Sequence, residues 1–200
     1  MIETLNLHHV RGLEEISLSL GSSINLFTGE NGAGKTSVLE AVTLLSHGRS
    51  FVTTRAKSLI GFDANELTVY AKISRLDGSH RLGCQVRLDG DRRLKFNGAA
   101  AKGQAELSRV LPVITIAPHC ADLVTGTPGD RRRFLDWGTF YCAKGETEVY
   151  SGLRKALLQR NAVLRSGRAN ESELDSWDQQ IVVHGAVVDR WRRQFLAELE

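Results

Sequence analysis

The sequence predicts an α/β fold in which a lobe of strands, built around one glycine-rich loop, is followed by a helical arm. The glycine-rich segment, residues 29–36, lies between a short apolar run and an amphipathic helical pattern. Apolar residues alternate in short strand-like runs on both sides of it, whereas the last third of the chain shows helical spacing. We therefore divide the chain into an N-terminal lobe, residues 1–118, and a helical arm, residues 119–200.

The first thirty residues read as three short strands. The apolar positions of these strands are Leu5 and Leu7, then Ile16, Leu18 and Leu20, and then Ile24, Leu26 and Phe27. The third strand is predicted to be buried and to lead directly into the glycine-rich loop.

The glycine-rich loop matches the Walker A spacing G-x-x-x-x-G-K-[ST]. Its residues are Gly29, Glu30, Asn31, Gly32, Ala33, Gly34, Lys35 and Thr36, followed by Ser37 in the first turn of the predicted helix. Glycines let backbone N–H groups converge on phosphates, and the helix N-terminus points at the same anion. We expect Lys35 to reach the β- and γ-phosphates of ATP and Thr36 to ligate Mg²⁺. A chance glycine-rich turn is the alternative, which the strand and helix context disfavours.

The order of elements after the loop separates two classes of ATP-binding protein. Runs at residues 67–73 and 84–88 alternate apolar and polar positions, and Asp77-Gly78 and Asp89-Gly90 supply turn signals. A small P-loop kinase would continue with a parallel strand through a crossover, whereas this order predicts antiparallel hairpins. The pattern favours a P-loop, ABC-type ATPase lobe with an antiparallel subsheet. A P-loop phosphotransferase stays as the less favoured alternative.

The second half of the chain turns helical. Val113, Ile114 and Ile116 predict one more buried strand, closed by Pro118. Asp130 is predicted as the N-cap of a following helix. Two longer helices are predicted over residues 146–165 and from Ser172 to the end, and the short loop at residues 166–170 makes them an antiparallel hairpin.

Several motifs resemble the RecF family. They are GENGAGKTSVLEAV, LSHGRSF, FNG, LPVITIAPH, LVTGTPGDRRRFLDW and LLQRNAVLR, which together run through essentially all 200 residues in order. The resemblance implies an SMC-like, ABC-type ATPase head that binds ATP and Mg²⁺ and forms an ATP-dependent homodimer. It also implies action on duplex, gapped or single-stranded DNA in recombinational repair and replication restart, with RecR and RecO as partners, in support of SOS induction.

The sequence departs from a complete head of this group. It contains neither an LSGGQ-like signature nor a run of four apolar residues followed by Asp-Glu, as in a Walker B strand. We expect the chain to be the N-terminal part of a RecF protein and to act as a weak DNA-dependent ATPase only with that missing half. Another SMC-like P-loop ATPase stays open as an alternative.

Other polar residues have two interpretations each. Arg11 follows the first strand, where relatives carry an arginine near the nucleotide; a solvated loop arginine is the alternative. His119 lies where related heads place a glutamine, and a histidine at a strand end is the simpler interpretation. Arg131, Arg132 and Arg133 oppose the dipole at a helix start, so they are candidates for DNA phosphates or for a solvated face.

The composition of the chain limits the partners and the location that can be expected. The chain is 42% hydrophobic and 24% charged, with a formal net charge of +3, which permits a polyanionic partner without requiring one. The first residues lack the pattern of a signal peptide, and no apolar stretch has the length of a membrane span. We expect a cytoplasmic location and no membrane partner.

Overall fold

A computed structural model describes residues 1–117, 122–143, 147–167 and 170–199. The chain divides into two compact units, Met1–Thr115 and Ile116–Glu200. The predicted boundary after residue 118 falls among residues 118–121, outside the described residues, and stays a prediction.

The first unit is built on an antiparallel sheet. Within the described residues the sheet has six strands in the order β2-β1-β3-β4-β5-β6. The strands are β1 (Ile2–Val10), β2 (Leu13–Ser19), β3 (Glu66–Arg75), β4 (Gly78–Arg87), β5 (Arg92–Phe96) and β6 (Ala99–Ala100). Every pair is antiparallel, so the predicted hairpins are confirmed, while β5 and β6 were not predicted.

One face of this sheet forms the core of the first unit. Helix α1 (Lys35–His47), a 3-10 helix at Ala56–Leu59 and helix α2 (Gln104–Val110) complete the unit. Leu5, Leu7 and Val69 are fully buried on the sheet, and Leu44 and Leu45 are fully buried on α1. The alternation that predicted the strands therefore marks the side chains that pack against α1.

Two predicted strands are wrong. The apolar runs at residues 24–27 and 113–116 adopt no strand, and Ile24 and Ile116 are 90% and 88% exposed. Phe27 and Val113 alone from these runs pack against the core. A strand forms only where a neighbour satisfies its backbone N–H and C=O groups, and within the described residues no strand pairs with either run.

The second unit is helical, as predicted. Its helices are α3 (Asp122–Thr125), α4 (Pro128–Cys142), α5 (Thr147–Arg165) and α6 (Glu171–Ala197). The Tyr150 and Trp191 rings contact at a tilt of 34° with centroids 5.9 Å apart, and Arg160 pairs with Asp178, so α5 and α6 form the predicted antiparallel hairpin. The predicted helix start at Glu146 lies outside the described residues.

The N-cap predicted for α4 is wrong by three residues. Thr127 is the N-cap, and Asp130 occupies the third helical position, where its Oδ2 accepts a hydrogen bond from the Thr127 backbone N–H at 2.8 Å. Pro128 fits the first helical position because it has no N–H to leave unpaired. None of the helices in the described residues combines the length and the apolar composition of a membrane span.

Candidate functional site

The glycine-rich loop connects the exposed run at residues 24–28 to the first turn of α1. Gly29, Gly32 and Gly34 all have positive φ, at 149°, 87° and 89°. A side chain on Gly34 would also meet Leu13, because an added Cβ would lie 2.3 Å from Leu13 Cδ2. The loop therefore takes a turn that needs glycine for its backbone angles and, at Gly34, for space.

The N-terminus of α1 is open to an anion. Gly34 is the N-cap and has no side chain to accept a hydrogen bond from the first turn, and that turn contains no acidic residue. Thirteen residues of helix therefore direct their dipole at the loop, and the first N–H groups of a helix have no partner within it. This arrangement attracts phosphate groups.

The Lys35 ammonium group lies over the loop. It donates hydrogen bonds to the carbonyl oxygens of Gly29 at 2.8 Å and Glu30 at 2.7 Å. An ammonium group has three N–H donors, so one remains for a ligand. Lys35 is thus tied to the backbone of the loop by two hydrogen bonds.

The other predicted loop residues differ in exposure. Thr36 is exposed, whereas Ser37 is only 9% exposed and faces the interior. Glu30, Asn31 and Ala33 are exposed. The exposed Thr36 hydroxyl is open to a ligand or a metal, and the predicted contacts of Thr36 and Ser37 stay predictions.

Arg11 forms an ion pair with the helix that follows the loop. Its Nη2 lies 3.0 Å from Glu40 Oε1 and its Nε lies 3.3 Å from Glu40 Oε2, while Nη1 donates to the Ser58 carbonyl oxygen at 2.9 Å. Ser50 Oγ donates to the same Glu40 carboxylate at 2.7 Å. Arg11 is therefore held by Glu40 and Ser58 rather than free in a solvated loop. Its predicted contact with a nucleotide stays a prediction.

Glu40 is the residue of this network that the sequence analysis missed. It is 3% exposed on a helix whose neighbouring positions Ala41 and Leu44 are fully buried. A carboxylate on a buried helix face requires a partner. Its position among buried apolar residues was the signal that could have identified it.

A second network fixes the other end of α1. Gln104 Nε2 donates to the carbonyl oxygen of Leu45 at 2.8 Å and also to that of Ser46. Arg92 donates to the Gly48 carbonyl oxygen at 3.1 Å. These bonds satisfy the last carbonyl groups of the helix, and the Arg92 charge is favourable at the negative end of its dipole.

Of the three arginines predicted to contact DNA, two have local partners. Arg131 donates to the Gly126 carbonyl oxygen at 3.1 Å, and Arg133 pairs with Asp130. All three are exposed. Hydrogen bonds from Thr127 lower the pKa of Asp130 to about 2, with a smaller contribution from Arg133. His119 lies outside the described residues.

The chain is similar in sequence to a protein family and to several known proteins. Residues 4–119 match the family described as AAA domain. The DNA replication and repair protein RecF of Marinomonas sp. (strain MWYL1) is 37% identical over 196 residues, which are 98% of this chain and 53% of that relative. RecF of Pseudomonas putida (strain W619) is 37% identical over 192 residues, covering 96% and 52%. The chain spans about half the length of the curated relatives it matches.

Solved structures give the same result. The recombination mediator protein RecF with ATP, from the RecFOR pathway, superposes with a TM-score of 0.91 at 25% identity, over 99% of this chain and 54% of that one. A structure from work on SMC ATPases superposes at 0.56 with 19% identity, over 68% and 98%, and shares the fold. The predicted fold class is confirmed, and the chain belongs to the AAA domain family, with its resemblance to RecF confirmed along nearly its whole length.

Proposed function

We propose that this chain binds ATP at the glycine-rich loop as part of a RecF-type protein of recombinational DNA repair. The observation that carries the proposal is the open N-terminus of α1 beneath the Lys35 ammonium group, a cationic cradle built from backbone N–H donors. The ATP in the RecF structure and the name of the RecF relatives support the ligand and the process.

Magnesium fits the same site. Among the described residues, no group of three or more His, Cys, Asp or Glu side chains could hold a metal ion. Mg²⁺ is commonly bound through few protein ligands together with substrate phosphates and water. The exposed Thr36 hydroxyl would hold Mg²⁺ beside the phosphates, where the ion would offset their charge.

In this proposal, the glycine-rich loop acts through the free energy of ATP binding rather than through rapid ATP hydrolysis. ATP joins two copies of the head into a homodimer that retains DNA at gaps, with RecR and RecO as partners, and loss of ATP releases it. The antiparallel hairpins around the loop differ from the parallel order of a small kinase, which favours this proposal over a phosphotransferase.

The test is Lys35→Ala in the 200-residue chain, with Lys155→Ala on exposed α5 as the matched loss of one lysine charge. Titration with a fluorescent ATP analogue should show at least roughly tenfold weaker binding for Lys35→Ala, since a charge-assisted hydrogen bond to phosphate is lost. Lys155→Ala should bind like the wild type.

Sedimentation with and without ATP then tests the homodimer. Unchanged ATP affinity in Lys35→Ala would refute the assignment of the loop. An ATP-dependent dimer that persists in Lys35→Ala although ATP binding is weakened would refute the switch and leave the assignment of the loop standing.

A further inference from the structure

The outward face of the antiparallel sheet carries five positive side chains. Core residues Ala71, Leu82 and Leu94 point to the inner face of β3, β4 and β5, so residues of opposite parity point outward. The outward residues with positive charge are Lys72 on β3, Arg81 and Arg87 on β4, and Arg93 and Lys95 on β5. We call these five side chains the basic sheet face.

The charges of the basic sheet face are only partly balanced. Lys72 pairs with Glu3 at 2.6 Å, Arg93 with Asp91 at 3.1 Å and Arg87 with Glu66 at 3.8 Å. Arg81 and Lys95 are exposed, and neither has a carboxylate partner within the described residues. Two of the five positive charges are thus available to a ligand.

The sheet register places these charges beside one another. Lys72 lies directly opposite Arg81, and Lys95 lies opposite Gly83, which is two residues from Arg81 on the same strand. Like charges directly opposite in an antiparallel pair are destabilising. Glu3 offsets the charge of Lys72, but Arg81 has no carboxylate partner within the described residues, so an anion beside it would reduce the remaining repulsion.

The shape of the face suits an extended ligand. Gly83 sits at the centre of a row that runs from Tyr70 through Gly83 to Lys95. A glycine inside a strand leaves no side chain above the sheet and often marks close approach by another backbone or a ligand. The row therefore leaves space above Gly83 beside the positive charge of Lys95.

The chemistry of the face favours nucleic acid over an acidic protein. Outward positions of β3 are Glu66, Thr68, Tyr70, Lys72 and Ser74, and those of β4 from 79 to 87 are Ser, Arg, Gly, Gln and Arg. Protein interfaces depend on buried apolar or aromatic anchors, and this face offers only the half-buried Tyr70. Arg and Lys contacts to phosphates instead supply most of the affinity for DNA.

We infer that the basic sheet face is a docking surface for the phosphate backbone of duplex DNA, with Arg81 and Lys95 as its principal contacts. The inference rests on the proposed function and assigns a DNA surface distinct from the arginines at residues 131–133. It requires no particular base sequence, because phosphate contacts position the duplex without reading bases.

The experiment compares Arg81→Gln/Lys95→Gln with Arg154→Gln/Lys155→Gln, an equal loss of charge from two exposed residues on α5. Fluorescence anisotropy of a labelled duplex oligonucleotide, measured between about 50 and 200 mM salt, gives the slope of log K against log salt. For Arg81→Gln/Lys95→Gln we expect roughly tenfold weaker binding and a slope reduced by about 2, and no change for the α5 variant. Circular dichroism and urea unfolding verify that both variants fold.

Several outcomes would overturn the inference. These are an unchanged slope in Arg81→Gln/Lys95→Gln, equal losses in the two variants, or a wild-type chain with no salt-dependent duplex binding. Polyglutamate that competes as well as unlabelled duplex would show a surface for acidic polypeptides instead. Titration with the fluorescent ATP analogue separates this test from the proposed function, because ATP affinity should be the same in Arg81→Gln/Lys95→Gln and the wild type.

Discussion

Arg11 and Glu40 connect the β1–β2 turn to the helix that follows the glycine-rich loop. Two nitrogens of the guanidinium group face the two carboxylate oxygens at 3.0 and 3.3 Å. The Glu40 side chain is 4% exposed and that of Arg11 is 34% exposed, so one partner of the pair is buried and the other reaches solvent. The two residues therefore differ in what their removal leaves behind.

This asymmetry predicts unequal effects of the two single substitutions. Arg11→Met leaves a buried carboxylate without its cation and should reduce the free energy of unfolding by roughly 3 kcal/mol. Glu40→Gln leaves a guanidinium group that water can reach, and it keeps a side-chain oxygen for Ser50, so its cost should be about 1 kcal/mol. Urea unfolding measures both.

The double variant Arg11→Met/Glu40→Gln is the control for coupling between the two residues. Its loss of stability should be smaller than the sum of the single losses, since the charge that Arg11→Met leaves unpaired is gone. Additive losses would contradict the coupling, and a larger loss for Glu40→Gln than for Arg11→Met would contradict the predicted asymmetry.

The glycine-rich loop offers a matched pair of substitutions. Gly32 and Gly34 have nearly the same φ, 87° and 89°, but an added Cβ meets nothing within 4 Å at Gly32 and lies 2.3 Å from Leu13 Cδ2 at Gly34. Gly32→Ala should therefore cost only the backbone strain, about 1 kcal/mol. Gly34→Ala should cost that strain and a further roughly 1–3 kcal/mol for the collision, as judged by thermal or urea unfolding.

Leu13→Ala provides the control for the loop comparison. The double variant Leu13→Ala/Gly34→Ala should recover part of the collision cost, whereas Leu13→Ala should not improve Gly32→Ala. Equal stabilities of Gly32→Ala and Gly34→Ala would show that Leu13 moves aside freely and that only the backbone angle matters.

The sequence predicted the elements whose signals are local. The Walker A spacing, the alternation in β3 and β4 and the helical spacing after residue 146 each depend on neighbouring residues, and each led to the right element. The failures at Ile24 and Ile114 concern apolar runs that become strands only when another strand pairs with them. Whether such a neighbour exists is a property of the tertiary structure, which periodicity cannot report.

The long-range contacts that hold the candidate site could not be predicted from local sequence patterns. Glu40 binds Arg11, 29 residues away, and Gln104 binds the Ser46 carbonyl oxygen, 58 residues away. Each is an ordinary polar residue in its own segment, and its role follows from the contact that the fold creates. Ser37 is 9% exposed, and its contact with a nucleotide stays a prediction.

Two glycines in the helical unit should respond oppositely to alanine. Gly138 on α4 lies against Phe195 on α6, and an added Cβ would lie 2.1 Å from Phe195 Cζ. Gly185 on α6 has space, with Leu153 Cδ1 at 4.0 Å as the nearest atom to an added Cβ. Gly138→Ala should reduce the free energy of unfolding by roughly 1–3 kcal/mol, and Gly185→Ala should raise it by up to about 1 kcal/mol.

Thermal unfolding followed by circular dichroism at 222 nm, the usual wavelength for helix, checks this pair. The control is Gly138→Ala combined with Phe195→Leu, whose smaller side chain should relieve the collision. Stabilisation by Gly138→Ala alone would mean that α4 and α6 do not pack as closely as the Phe195 contact requires.

His47, the last residue of α1, should make stability depend on pH. Burial lowers the pKa of His47 below its usual 6.5, and the positive charge of Arg49 lowers it further. Its Nε2 is buried and has no hydrogen-bond partner among the described residues. The neutral imidazole therefore suits the folded chain, and the unfolded chain binds a proton at higher pH than the folded chain does.

The sign of the effect follows from this difference in proton binding. Above pH 6.5 neither state is protonated at His47 and its full contribution to stability is present. As pH falls through 6.5 and then through the lower pKa of the folded chain, the unfolded state gains a proton first and stability is lost. Urea unfolding at pH 7.5 and 5.5 should show a smaller loss for His47→Asn, which keeps a polar group that does not titrate, than for the wild type. His184→Asn on α6 is the control and should keep the wild-type loss; a loss in His47→Asn equal to that of the wild type would show that other groups cause the pH dependence.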